Sequence, residues 1–119
     1  MSDPISKPIL FLLEHEFEDP SQRGQRFFCR HSLLLEGALA SLPGLRERLD
    51  VRHVDFPRPR RDVIDVVGES NQSLPKLVLP AEIRSTHAGG EHEGRQYISG
   101  TEPILAALGE LYGIAQPHP

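Results

Sequence analysis

The stretch GQRFFCRHSLLLEGALASLP, residues 24–43, contains the transition from irregular sequence to helix that organises the chain. Its first residues show no period. From Cys29 onward, apolar side chains recur at the spacing of one helix face, at Leu34, Leu35, Ala38, Leu39 and Leu42. Pro43 and Gly44 then stop the pattern. The stretch therefore predicts a helix that begins at Cys29, the only cysteine of the chain.

A buried strand precedes this helix and a second strand follows it. Residues 9–13, ILFLL, are continuously apolar, which is typical of a strand covered on both faces at the centre of a sheet. The polar residues 14–28 show no clear period. Residues 49–56, LDVRHVDF, contain β-branched side chains and end at Pro57, which favours a second strand.

The middle of the chain predicts a short helix and a third strand. The apolar residues between 63 and 67 close at Gly68, a residue type that commonly follows the last turn of a helix. LPKLVLP, residues 74–80, then reads as a strand entered through Pro75.

The C-terminal part predicts a hairpin and a third helix. Residues 81–95 are polar with a turn signal at Gly89-Gly90, and QYIS, residues 96–99, predicts a fourth strand. Thr101 suits the N-cap of a last helix, whose stripe is Ile104, Leu105, Leu108, Leu111 and Tyr112. The predicted order is β-α-β-α-β-β-α.

Length and composition limit the class of protein. The 119 residues show no composition shift that would mark two halves, so we expect one domain over residues 1–119. The formal charge of −4 comes from 13 Lys and Arg against 17 Asp and Glu, and no segment concentrates basic residues heavily enough for a nucleic-acid footprint, which argues against a nucleic-acid partner. No apolar run is long enough to span a bilayer and no signal-peptide pattern is present, so we expect no membrane partner and a cytoplasmic location.

The order of elements, the cysteine at the first helix and the proline before the third strand resemble the thioredoxin-like superfamily. The likeness is greatest to glutaredoxins and the N-terminal domains of glutathione transferases. The segments FEDP, GQRFFC, LEGALASLP, NQSLPKLVL and ILAAL further resemble a small family of bacterial thioredoxin-like proteins classed as a domain of unknown function. The resemblance implies a single thioredoxin-like α/β domain with a mixed four-stranded sheet.

The same resemblance implies where a site would lie. Residues 29–32 are similar to the superfamily's redox motif in its monothiol form, Cys-x-x-Ser. Residues 74–75 are similar to the dipeptide whose proline is cis and whose first residue offers backbone groups to a peptide or to glutathione. Thr101 falls where glutathione transferases place a serine that receives the γ-glutamyl carboxylate. The implied catalytic residues are Cys29 and Ser32, and the implied substrate-binding residues are Arg30, His31, Leu74, Pro75 and Thr101.

Two interpretations of Cys29 stay open. A helix N-terminus carries about half a positive elementary charge and unsatisfied N–H groups, which favour a thiolate, and the Ser32 hydroxyl is placed to donate to it. Cys29 then attacks a disulfide, a glutathione mixed disulfide or an electrophile, with glutathione as a co-substrate, and we expect no bound cofactor. Free cysteine is otherwise among the most buried residue types. In that case the domain is a non-catalytic thioredoxin-like module that binds a protein or a small ligand.

The histidines do not form a recognisable metal motif. Among His15, His31, His87 and His92 with Cys29, only Cys29-x-His31 has the close spacing of a ligand pair. We therefore expect no metal site.

A basic run, PRPRR, precedes the second predicted helix. We interpret Arg58, Arg60 and Arg61 as an exposed face, with a clamp for a substrate carboxylate as the alternative.

Overall fold

A computed structural model describes residues 4–119 and shows an α/β fold with three α-helices and a mixed five-stranded sheet. Residues 1–3, which the single-domain prediction includes, lie outside the described residues. Within residues 4–119, no helix combines the length and the apolar character that crossing a bilayer requires. In chain order the elements are β1 (Ile9–Leu13), β2 (Phe17–Glu18), β3 (Arg26–Phe27), α1 (Arg30–Ser41), a 3₁₀ turn (Arg46–Arg48), β4 (Asp50–Val54), α2 (Arg61–Val67), β5 (Lys76–Val78), β6 (Gly90–His92), β7 (Arg95–Ser99) and α3 (Thr101–Tyr112).

Strand β1 lies in the interior of the main sheet, between β4 and β5, and the strand order is β4-β1-β5-β7-β6. It pairs with β4 in parallel and with β5 antiparallel, and β7 is antiparallel to both of its neighbours. All side chains of β1 are buried, as predicted for a strand covered on both faces. The parallel pair requires a crossover connection, and α1 lies within it.

The sheet has five strands rather than the predicted four, because the connection between β5 and β7 contains β6. β6 joins β7 through a two-residue turn at Glu93 and Gly94, whose φ values of 50° and 83° suit a type I′ hairpin. The turn predicted at Gly89-Gly90 is therefore wrong. Gly90 is the first residue of β6, and a Cβ there would overlap the Tyr97 hydroxyl, so glycine lets the Tyr97 ring pack closely.

The connection between β1 and α1, predicted without regular structure, contains a small antiparallel ribbon. Its strands β2 and β3 place Phe17 opposite Phe27. Phe17 also stacks on Phe56, with 4.5 Å between ring centroids and 4° between ring planes. The stacking ties the ribbon to the chain that follows β4. Strands of two residues are too short to give a periodic sequence signal.

The sheet separates two apolar cores. Helices α1 and α3 cover the face that contains Leu10 and Leu12, whereas α2 covers the face that contains Ile9 and Phe11. This alternation is the period of two expected along a strand. Leu34, which the sequence assigned to the apolar stripe of α1, is instead 53% exposed. The buried residues of α1 are Ser32, Leu35 and Leu39.

Candidate functional site

The pairing of the strands brings the ends of several strands and helices to one end of the main sheet. Because β1 and β4 are parallel, both finish there. β5 is antiparallel to β1, with Lys76 opposite Phe11, so the Leu74-Pro75 dipeptide enters at that same end. Lys76 also pairs with Ser99, so α3 begins there. The register therefore places the start of β5 and the start of α3 beside the start of α1.

Cys29 is the N-cap of α1, which confirms the predicted helix start. Its backbone is extended, with φ −82° and ψ 114°, and its Sγ accepts a hydrogen bond from the Ser32 backbone N–H at 3.4 Å. The thiol is free and half-buried. The sulfur thus satisfies one of the N–H groups that every helix leaves without an internal partner.

Ser32 is buried and joins α1 to the centre of the sheet. Its Oγ accepts a hydrogen bond from the Leu13 backbone N–H at 3.2 Å. The sequence assigned the Ser32 hydroxyl as the donor to the Cys29 sulfur, whereas the structure shows the Ser32 backbone N–H as that donor. The hydroxyl fixes the position of α1 relative to β1.

Replacing Ser32 by alanine should lower the free energy of unfolding by about 1–3 kcal/mol, because the buried Leu13 N–H loses its acceptor. Urea unfolding followed by circular dichroism measures the change. Ser41→Ala is the matched control, since Ser41 is exposed at the other end of α1, and it should change stability by less than about 0.5 kcal/mol. Similar losses in the two variants would contradict the anchoring role of Ser32.

The surface next to Cys29 is apolar as well as polar. Phe28 is 59% exposed and Leu33 is 49% exposed, although side chains of this type are usually buried. Both line a shallow cleft together with Cys29. Arg30 and His31 are exposed on the first turn of α1.

The Leu74–Pro75 peptide bond is cis, as the resemblance implies, and Arg58–Pro59 is a second cis bond that the sequence analysis did not predict. Pro75 is buried, and its carbonyl accepts the Gly100 N–H at 3.3 Å. Leu74 is half-buried against the core under α2.

Arg60 is buried, so the interpretation of the basic run as an exposed face is wrong at this position. Its guanidinium donates to the Phe56 carbonyl at 2.7 and 3.1 Å and to the Gln72 carbonyl at 2.8 Å. Burial lowers the pKa of Arg60, the charge of Arg58 lowers it further, and the charge of Cys29 opposes both. Arg60 is therefore a buried cation that links the chain before α2 to the chain after it.

Lys76 follows the cis proline and is only 1% exposed. Its Nζ donates to Ser99 Oγ at 2.6 Å and to Ser73 Oγ at 3.3 Å, and lies 5.0 Å from the centroid of the Tyr97 ring. Burial, followed by the charge of Arg58, lowers the pKa of Lys76 from 10.5 to about 8. The sequence patterns predicted no role for this residue. The available signal was a single lysine inside the apolar run LPKLVLP.

Thr101 lies at the start of α3 but is not its N-cap, so that prediction is wrong. Gly100 is the N-cap, with a φ of 93° that glycine adopts without strain. The Thr101 Oγ1 is enclosed and has no hydrogen-bond partner among residues 4–119. Its hydroxyl therefore does not serve the first turn of α3.

Three side chains that the sequence analysis did not combine meet on the α1 face of the sheet: His15 after β1, Glu36 in α1 and His53 in β4. Among the other histidines of the sequence, His92 lies in β6, at the opposite edge of the sheet from β4. In a parallel β-α-β unit, residues at the carboxyl ends of both strands are neighbours. That rule links His15 to His53, but nothing in the sequence singles out Glu36.

Comparison with known proteins gives a family but no activity. No curated protein and no solved structure matches the chain. The family described as "Protein of unknown function (DUF3088)" matches residues 7–116, a span that begins before β1 and ends after α3. The chain therefore belongs to the DUF3088 family.

Proposed function

We propose that this protein is a thioredoxin-like monothiol protein in which Cys29 forms a mixed disulfide with glutathione or with a protein thiol. The observation that carries the proposal is the Cys29 sulfur, half-buried at the start of α1 and bonded to the Ser32 N–H. Reactive cysteines of other proteins often lie at the N-terminus of a helix, as Cys29 does here. A single cysteine without a disulfide partner suits the reducing cytoplasm, where we propose that the protein acts.

The arrangement of elements supports a thioredoxin-like fold. A parallel β-α-β unit of β1, α1 and β4 is followed by α2, the antiparallel strands β5 and β7, and α3. Helices α1 and α3 lie on one face and α2 on the other. A cis proline enters β5 at the end of the sheet where α1 begins. The β2–β3 ribbon and β6 are additions to this plan.

The proposed chemistry is one thiol-disulfide exchange. The Cys29 thiolate attacks one sulfur of a disulfide and forms a new S–S bond, while the old S–S bond breaks. The second sulfur leaves as a thiolate and takes a proton from water, so the step involves no net oxidation. Because the chain has one cysteine, a second external thiol must release the adduct. Without that thiol the protein should stop after one turnover.

The charge around the site favours an anionic thiol such as glutathione, which carries two carboxylates. The charge of Arg58 lowers the pKa of both Arg60 and Lys76, so three cations lie at this end of the sheet. We propose that the exposed Arg30 and His31 contact the partner. We propose the same for Leu74, Pro75 and Thr101, which the register brings to this end.

A second candidate function is a non-catalytic module that binds a protein. The exposed apolar residues Phe28, Leu33 and Leu34 favour it, because such side chains are enriched where proteins associate. In that function Cys29 serves only as a helix cap.

The rate of reaction of Cys29 with oxidised glutathione separates the two functions. Intact-mass spectrometry should show a single glutathione adduct that forms at least about tenfold faster on the folded chain than on the chain unfolded in urea. The unfolded chain is the matched control, because it keeps the same cysteine and the same sequence neighbours. Reduced glutathione should then remove the adduct. An equal or slower reaction of the folded chain would reject the thiol chemistry and favour the binding module.

A further inference from the structure

The group formed by His15, Glu36 and His53 is assembled by the parallel β-α-β unit. β1 and β4 pair with Leu12 opposite His53, and the pairing continues beyond β1 through the Glu14 N–H, which donates to the Val54 carbonyl at 3.0 Å. His15 therefore comes next to His53, and the two rings meet edge-on with 4.7 Å between centroids. Three separate segments of the chain thus contribute one side chain each.

The ligand atoms of these residues converge. Glu36 Oε1 lies 2.5 Å from His53 Nε2 and 3.6 Å from His15 Nε2, and the three ligand atoms lie within 4.8 Å of one another. A tetrahedral zinc ion with bonds of about 2.0–2.2 Å holds its ligand atoms about 3.3 Å apart. Small side-chain movements therefore suffice to place one ion between all three.

We propose that His15, Glu36 and His53 form a binding site for a divalent transition-metal ion, with Zn²⁺ as the best match. Two imidazole nitrogens and one carboxylate are a ligand set that proteins use for Zn²⁺ and for other first-row ions, whereas Mg²⁺ and Ca²⁺ prefer oxygen ligands. The ion takes the place of the proton between His53 and Glu36, and that proton is released to solvent.

The surroundings of the group allow an ion to enter and keep the carboxylate oriented. The His15 side chain is 69% exposed, whereas Glu36 is 19% and His53 is 25% exposed, so the site opens to solvent on the His15 side. Arg46 Nη2 lies 3.7 Å from Glu36 Oε2, which leaves Oε1 to face the imidazoles. Arg46 is half-exposed, so solvent and salt screen its repulsion of a cation.

The site leaves room for a fourth ligand. Three protein ligands and one open position are typical of zinc ions that bind water or substrate, whereas structural zinc sites have four protein ligands. His15 and Glu36 line the same shallow cleft as Cys29. The metal site does not depend on the proposed thiol chemistry, because its ligands are three other residues.

Titration of the metal-free protein with Zn²⁺ and with Co²⁺ tests the site. Calorimetry should give one Zn²⁺ per chain, and Co²⁺ should produce visible d–d absorption without a thiolate charge-transfer band. His15→Gln, which replaces an exposed side chain, and Glu36→Gln should each weaken Zn²⁺ binding by at least about tenfold. His87→Gln is the matched control, since His87 is an exposed histidine outside the group, and should change affinity by less than about twofold. In NMR spectra, Zn²⁺ should shift the ring signals of His15 and His53 but not those of His87.

Three results would overturn the proposal. The first is an affinity that falls equally in His15→Gln and His87→Gln. The second is a wild-type chain that binds no Zn²⁺ at micromolar concentrations. The third is a thiolate charge-transfer band that Cys29→Ser removes, because the ion would then be bound at Cys29. Retention of Zn²⁺ binding by Cys29→Ser would support the site even if the glutathione experiment failed.

Discussion

Raising the pH from about 8 to about 10.5 should stabilise the folded protein by on the order of 3 kcal/mol through Lys76 alone. The pKa of this lysine is about 8 in the folded state and 10.5 when it is free in water. Between those values the unfolded chain holds a proton that the folded chain has released, so the free energy of unfolding rises with pH. Below pH 8 both states are protonated, and the folded state bears the full cost of burying the charge.

Lys76→Met isolates this effect. Methionine fills a similar volume without a titratable group, and the exposed residues Ser73 and Ser99 can turn their hydroxyls to water. Urea unfolding at a series of pH values should show stability rising for the wild type relative to the variant between pH 8 and 10.5. The comparison also cancels the contribution of Tyr112, whose pKa is raised by burial. If the stability of the two proteins changes with pH in the same way, Lys76 is not a buried group whose charge destabilises the folded state.

Replacement of Arg60 by methionine should destabilise the protein by about 3 kcal/mol, because hydrogen bonds from a charged donor contribute about 1.5–3 kcal/mol each. The guanidinium links the Phe56 carbonyl, before α2, to the Gln72 carbonyl, after it. Methionine can pack in the same place but satisfies neither carbonyl. The measurement is the denaturation midpoint in urea.

Two variants serve as controls for Arg60. Arg61→Met changes the adjacent exposed arginine and should alter stability by less than about 0.5 kcal/mol. Arg60→Lys keeps the charge but lacks the planar fork that reaches both carbonyls, so it should fall between the wild type and Arg60→Met. If Arg60→Met and Arg61→Met unfold at the same urea concentration, the link between the two loops contributes nothing measurable.

Sequence patterns predicted the elements whose signals are local. The continuous run ILFLL identified β1 with the bounds found in the structure, and the helical spacing after Cys29 located α1. β6 was missed because the strand is short and polar, and because Gly90 is required by the Tyr97 ring rather than by a turn. Thr101 was predicted to be the N-cap of α3 because threonine is a common N-cap residue. The N-cap is instead the preceding residue, Gly100, whose φ is positive.

The candidate site was less predictable, because its chemistry depends on contacts between distant segments. Cys29 and the cis bond before Pro75 are local features with sequence signatures. The burial of Arg60 depends on carbonyls on both sides of α2, which a run of arginines does not reveal. The contact between Glu36 and His53 depends on which side of α1 faces β4. That orientation is set by the apolar side chains that pack α1 into the core.

The position of β1 between β4 and β5 has a consequence for biosynthesis. This strand is made before both of its partners, which begin at Asp50 and at Lys76. At a synthesis rate of about 5–20 residues per second, the second partner follows several seconds after ILFLL. During that interval a fully apolar strand has no complete sheet to join, and such segments are prone to aggregate. The nascent chain should therefore depend on chaperone binding at β1 more than the finished protein does.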